Sequence, residues 1–368
     1  MAFSSILIMS NVHTTLWKLE PHTEAKHAIL RKYLDAWMPI LGSHNGRIVF
    51  IDGFAGPGEY EGGQDGSPVI AIKSVIEHIL PIKAEILFIF VENEAKRCKF
   101  LEEKLKTIKL PGNVKYECIC GEFAKEVEKI LDDLAAKDLK LAPTFAFVDP
   151  FGFKGIPYNL LKRSMKNDKC EVLINFMLED ITRFLSLPQN EGYLTDFFGT
   201  DEWKKALAMN TPKEKSIFLH GLYQVQLSKI AKHVLSFKMV NKFNKIDYFL
   251  FFTTNHLLGL YKMKESMWRV DPSGNFEFSD TRYNPFQTVL FEQKPNYASL
   301  KKIILNKFKG KKVCVKDLES FILIETPFLP THYKKPILVP LEKEGKINVV
   351  GTRKRECTYP DNVEIEFL

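Results

Sequence analysis

Five short apolar runs punctuate the first half of the chain: RIVFID (47–52), ILFIFVE (86–92), VKYECIC (114–120), TFAFVDP (144–150) and EVLINFM (171–177). Their apolarity is continuous rather than alternating, the pattern of strands covered on both faces. The segments between them, 67–80, 94–108, 122–136 and 156–166, carry helical spacing and predict crossover helices. Such alternation predicts an α/β fold, a doubly wound and mostly parallel Rossmann-like sheet. Ahead of it, apolar residues at 29, 30, 33, 34, 37 and 41 fall on one helical face, and Pro21 and Thr23 suit that helix's start.

After the fifth run the pattern breaks. Residues 178–233 read as a helical, irregular insertion. VLSFKMV (234–240) and IDYFLFFTTN (246–255) flank NKFNK as a hairpin, which predicts an antiparallel edge to the sheet, followed by a helix over 256–268. In that helix Met263, Met267 and Trp268 read as core. From residue 295 three short helical patterns precede INVVGTRKRECTYP and VEIEFL, two strands around a basic turn. Three helices and a two-stranded wing are similar to a winged helix-turn-helix, whose third helix and wing can touch nucleic acid. The same small fold also serves as a protein-docking module. The expected organisation is an N-terminal helical segment (1–46), a Rossmann-like domain (47–290) with its insertion, and a winged-helix-like domain (295–368).

Composition narrows the class. With 368 residues, 45% hydrophobic and 26% charged, the chain has the balance of a globular protein. No apolar run reaches the ~18 residues of a membrane span. MAFSSILIMSNVHTT has no basic leader, so the expectation is no signal peptide and a cytoplasmic location. The six cysteines form no CxxC pair; Cys118 and Cys120 alone would share a strand face, and no metal site is expected. The net charge of +7 is uneven: residues 301–368 hold 14 Lys and Arg against 9 Asp and Glu, compatible with a nucleic-acid-facing module.

The candidate chemistry begins where the first strand ends, in IDGFAGPGEYEGGQDGSP. A phosphate loop requires a lysine directly after its glycines, and none occurs before Lys73. A dinucleotide turn runs straight into its helix, whereas Glu59, Glu61 and Asp65 intervene here before Ser67 and Pro68. Acids at that position disfavour a pyrophosphate. S-adenosylmethionine, which carries a sulfonium and an ammonium but no phosphate, fits. Asp52 is expected to face its ammonium, and Gly53, Phe54, Gly56 and Gly58 to let the backbone approach. Glu92, ending the second strand, suits ribose hydroxyls. Glu122 and Phe123, after the third, suit the adenine, although Glu122 equally suits a helix start.

The fourth strand ends in VDPFGFKG. Asp149 there would lie beside Asp52 at the carboxyl edge of the sheet, where doubly wound folds bind ligands. Its carboxylate and the Pro150 carbonyl can accept hydrogen bonds from an amine, and Phe151 can stack on a planar base. Orienting a weak nucleophile's lone pair toward an electrophilic methyl is catalysis by positioning. Lys26 and His27, on one turn of the first helix, and Asn255 and His256, after the last strand, are further candidates for the acceptor pocket; the latter pair also suits a helix cap.

FAGPG together with DPFG resembles class I methyltransferases acting on amino groups of nucleobases. DPFG is especially similar to the motif of tRNA guanine N2-dimethyltransferases, and parallel to the D-P-P-Y of adenine and cytosine amino-methyltransferases. It lacks the second proline and the tyrosine hydroxyl. Over roughly residues 16–360 the chain resembles the three-Cys-motif partner (TcmP) family, carried by LEPHTEAKHAILRKYLDAW, IDGFAGPGEYEGGQDGSPVIAI, VDPFG, FFTTNHLLGLYKMKESMWRVDP and HYKKPILVPLEKEGKI. That resemblance implies a methyltransferase-like sheet and a partner protein bearing a three-cysteine, radical-SAM-like motif.

Overall fold

The computed structural model describes residues 15–280 and 295–368. Residues 1–14, on which the reading of no signal peptide rests, and 281–294, where the expected 290–295 boundary falls, lie outside the described residues.

The parallel part of the sheet is built from β1 (Arg47–Asp52), β2 (Glu85–Glu92), β3 (Val114–Cys120), β4 (Thr144–Val148) and β5 (Cys170–Phe176). Its helices are α1 (Pro21–Gly42), α2 (Ser67–Ile76), α3 (Ala95–Lys106), α4 (Phe123–Ala136) and α5 (Tyr158–Met165). The insertion supplies α6 (Leu178–Phe184), α7 (Glu191–Phe198) and α8 (Pro212–Ser228). The hairpin β6 (His233–Val240) and β7 (Ile246–Thr254), then α9 (Leu257–Val270) and β8 (Glu277–Ser279), complete an eight-stranded sheet of order β3-β2-β1-β4-β5-β7-β6-β8. β7 runs antiparallel to both β5 and β6.

The sheet's two faces bury alternate residues of the same strand. Ile48 and Phe50 pack with α1, α2, α3 and α9, while Val49 and Ile51 pack with α4 to α8. This double covering is why the runs read as continuously apolar. β3 departs from the expectation of burial on both faces: it forms the sheet's edge, and Lys115, Glu117 and Cys120 are exposed. α1 packs against the sheet rather than standing apart, with Tyr33 and Trp37 against Phe145.

The C-terminal module comprises α10 (Tyr297–Phe308), β9 (Lys312–Cys314), α11 (Val315–Glu325), α12 (Val339–Lys343), β10 (Ile347–Val350) and β11 (Glu364–Phe367), with a π-helical turn (Lys334–Leu338) leading into α12. Its strands form a three-stranded sheet of order β10-β11-β9, one strand more than the sequence pattern predicts. A buried lysine ties this module to the large one. Lys264 of α9 donates to the carbonyls of Leu323 (2.7 Å), Thr326 (2.5 Å) and Phe328 (3.0 Å), so its ammonium caps carbonyls at the end of α11. Trp268 Nε1 adds a bond to the Pro327 carbonyl at 2.8 Å.

Candidate functional site

The carboxyl ends of β1, β4 and β5 and the amino end of β7 enclose a cleft of about 260 Å³. Its walls are the segment 17–23 and Lys26, the turn Phe54–Tyr60, Asp149–Phe151, Asn175, and Asp247 with Tyr248. Asp149 is its chemical centre. Lys26 Nζ donates to its Oδ2 at 2.5 Å, and Asn175 Nδ2 donates to its Oδ1 at 2.7 Å. Lys26 itself is buried, beneath the ring of Tyr248 at 5.4 Å. Asn175 Oδ1 is buried with no hydrogen-bond partner among the described residues. Pro150 is buried, whereas Phe151 is 78% exposed, its ring 5.2 Å from that of Trp17. The two rings form an aromatic mouth.

The glycine turn is folded by its own backbone. Gly56 and Gly58 take φ of +62° and +78°, a region only glycine enters freely. Gly66 N–H donates to Gly58 O at 2.8 Å, and a β-bridge joins Glu59 to Asp65. The acids expected to repel a phosphate are largely compensated: Glu59 pairs with Lys104 and Asp65 with Lys73, each at 2.5 Å. The case against phosphate therefore moves to the backbone. Gly56 N–H is spent on Glu92 Oε2 (2.9 Å), Ala55 N–H on Val91 O (2.9 Å), and Pro68 has no N–H to offer.

Asp52 ends β1 fully buried. Its Oδ1 accepts from Phe54 N–H at 3.2 Å, and its Oδ2 has no hydrogen-bond partner among the described residues. Burial pushes its carboxyl up to about 7, the Ser67 hydroxyl and Phe54 N–H pulling the other way. Glu92 binds the turn through Gly56 N–H and Glu94 N–H (2.8 Å), with the Arg97 guanidinium 3.9 Å away. Arg97 in turn lies 4.3 Å from the Trp17 ring.

Other expected residues lie elsewhere. Gly53 serves packing rather than backbone approach: a Cβ there would fall 2.4 Å from the Phe123 ring. Phe123 is buried against Phe54, and Glu122 is exposed and paired with Lys125 at 3.0 Å; neither lines the cleft. His27 turns toward Tyr60, and burial, then Lys26, push its pKa down to about 3, so it is neutral at physiological pH. Asn255 and His256 stand at the opposite edge of the sheet. Because β7 is antiparallel, its carboxyl end meets the amino end of β5, where Thr253 pairs with Val172. Asn255 there accepts from Lys232 N–H, and His256 pairs with Asp168 at 3.3 Å. The same reversal brings Asp247 and Tyr248 into the cleft instead. Asn175 carried a legible signal, a polar residue within an apolar strand; Trp17 carried none.

Residues 272–353 match the family described as GMT-like wHTH domain. No curated protein matches the chain. Among solved structures it is similar to Trm1 from Pyrococcus horikoshii in complex with S-adenosyl-L-methionine, at 12% identity over 96% of this chain and 93% of that one, TM-score 0.34. Human methyltransferase-like protein 13 in complex with SAH matches at 8% identity over 73% of this chain and 96% of that one, TM-score 0.37. An O-methyltransferase from Bacillus cereus in complex with SAH matches at 12% identity over 61% and 80%, TM-score 0.34. At such low identities any activity must be argued from the cleft itself. The fold is a mostly parallel, Rossmann-like sheet carrying a C-terminal winged helix.

Proposed function

We propose that the chain is an S-adenosylmethionine-dependent methyltransferase acting on an exocyclic amino group of a nucleobase in RNA or DNA. The observation that carries the reading is one cleft lined by the Gly56–Gly58 turn, Asp149, Asn175 and the exposed Phe151, with the buried Asp52 carboxylate behind its wall on the Phe54 N–H. The cofactor supplies an electrophilic methyl on a sulfonium. Asp52, Gly56, Gly58 and Glu92 are the residues assigned to hold it, Asp52 through charge and Glu92 by fixing the turn. The Asp149 carboxylate, held by Asn175, offers an acceptor to an N–H bond of an amino group, which orients its lone pair toward the methyl. Lys26 holds Asp149 in place through its hydrogen bond to Oδ2. Phe151 and Trp17 provide the stacking surface for a base outside its helix.

The winged helix extends the same reading to a nucleic acid. Lys335, Lys354 and Arg355 are exposed on the π-helical turn and the wing, and Glu342 of α12 holds that wing through Arg353 and through Tyr359 Oη at 2.6 Å. Calorimetric titration with S-adenosylmethionine tests the cofactor assignment. Micromolar binding that weakens at least tenfold in Asp52→Ala is expected, and absence of binding to the wild type overturns it. One feature favours a different acceptor class. Asp247 lines the cleft mouth, its carboxyl raised to about 6 by burial and by Glu179, so a cationic amine of a protein or small molecule is the second reading. Methyl incorporation that resists nucleases distinguishes it. The three-Cys-motif partner rests on the sequence resemblance, and co-purification of the two proteins tests it.

A further inference from the structure

The glycine turn carries a side chain that the cofactor assignment leaves unused. Tyr60, just past Gly58, lines the same cleft as Asp149 and is partly exposed. Its backbone is fixed: Tyr60 N–H donates to Gln64 O, and Gly63 N–H donates to Tyr60 O, each at 2.9 Å. Its ring rests 5.7 Å from that of His27. The hydroxyl, by contrast, is free. Tyr248, the other tyrosine of the cleft, donates its hydroxyl to the His22 carbonyl at 3.2 Å. Tyr60 Oη has no hydrogen-bond partner among the described residues, and unlike the unpaired Oη of Tyr223 it is not sealed inside the protein. An open, unpaired hydroxyl therefore belongs to the cleft wall.

Its surroundings decide what that hydroxyl can do. Burial, then the charges of Asp149 and Asp52, push the phenol's pKa far above its ordinary value, so the group stays an O–H and can donate. The neighbouring side-chain donors are already spent, since Lys26 Nζ and Asn175 Nδ2 both bond to Asp149. The cleft thus offers a carboxylate acceptor at Asp149 and a free donor at Tyr60. An alkyl amine can use only the first. An amino group on a nitrogen heterocycle uses both, because its N–H lies beside a ring nitrogen that accepts, as in adenine.

We infer that Tyr60 is a specificity-determining residue, its hydroxyl donating to the ring nitrogen beside the amino group that Asp149 holds. The inference rests on the reading of this cleft as the acceptor site for a nucleobase amine. Two contacts on one edge fix the base in its plane, which a single contact to Asp149 does not. They also select. A base with a carbonyl in place of the amino group sets an oxygen against the Asp149 carboxylate, and an alkyl amine leaves the Tyr60 hydroxyl without its partner.

Titrating the full chain with adenosine, cytidine and 2-aminopurine riboside tests the role, beside calorimetry with S-adenosylmethionine. At least one of these nucleosides should bind the wild type. Tyr60→Phe, which removes only the hydroxyl, should weaken that binding about tenfold, the worth of one hydrogen bond. Affinity for S-adenosylmethionine should stay unchanged, whereas a merely structural role for Tyr60 would lower both affinities together. Undiminished nucleoside binding in Tyr60→Phe, an equal loss of cofactor affinity, or no binding of any of the nucleosides to the wild type would each overturn the inference. The methyl-transfer reading fails on a different result, the absence of label from S-adenosylmethionine in nuclease-sensitive material, which leaves the nucleoside titrations standing.

Discussion

The two edges of the sheet handle buried carboxylates in opposite ways. At the amino edge, Glu171 rests between two hydroxyls, with α9 thinned by Gly259 to receive it. At the carboxyl edge, Asp52 keeps one oxygen unpartnered, and the Asn175 amide oxygen beside Asp149 is also unmatched among the described residues. Both arrangements involve burial, so burial alone does not separate them. What differs is hydrogen-bond completeness. The amino edge satisfies its carboxylate internally, while the carboxyl edge holds acceptors in reserve, as a site for a charged ligand and an amine requires.

The largest expected effect separates chemistry from stability. Asp149→Ala should lower methyl transfer by about a thousandfold, in the range of a lost positioning or electrostatic group, while cofactor affinity changes little. Steady-state rates and calorimetry on one preparation check this. An equal loss of both would mean that Asp149 acts on the cofactor instead.

The next prediction concerns the amino edge. Gly259→Ala should gain helix propensity yet destabilise the protein by about 3 kcal/mol, because the new methyl displaces a buried, hydrogen-bonded carboxylate. Chemical denaturation measures it. Stability equal to the wild type would show that Glu171 is free to move and that the contrast between the edges is overstated.

Asp52 gives an effect of the opposite sign. Its folded pKa of about 7 lies above the ordinary carboxylate value, so the stability it contributes is present at low pH and lost as pH rises toward 7. Asp52→Asn should therefore stabilise the ligand-free protein by a few kcal/mol at pH 8, with the gain shrinking as pH falls toward 4. For the wild type, affinity for a cationic cofactor should fall by up to about tenfold per pH unit below 7, a slope that the variant should lack. Thermal melts and titrations between pH 5 and 8 read both. The smallest effect lies outside both edges: Lys335→Ala on the winged helix should weaken nucleic-acid binding only a few-fold, uniformly across sequences, and flatten its salt dependence.

The strands and the motifs of the carboxyl edge were legible in the sequence, because continuous apolarity and strand-end motifs depend on local chain chemistry, whereas Glu171 and Gly259 at the amino edge were not. Asp52, Glu92 and Asp149 follow directly from where each strand stops. What stayed hidden depends on chain direction and on distant partners. β7 reads as a strand in either sense, and its reversal moves Asn255 and His256 to the far edge while bringing Asp247 and Tyr248 into the cleft. Glu59 and Asp65 read as free acids until Lys104 and Lys73 arrive from neighbouring helices. Trp17 reaches Arg97 and Phe151 only through the tertiary fold.

The central claim is that the cleft at the carboxyl edge transfers a methyl group to a nucleobase amine through Asp149. Incubating the protein with methyl-labelled S-adenosylmethionine and total cell extract, then digesting with nuclease or protease, tests it most directly. The account predicts label in nuclease-sensitive material with the wild type and almost none with Asp149→Ala. Label that survives nuclease digestion, or that forms equally with Asp149→Ala, would contradict it.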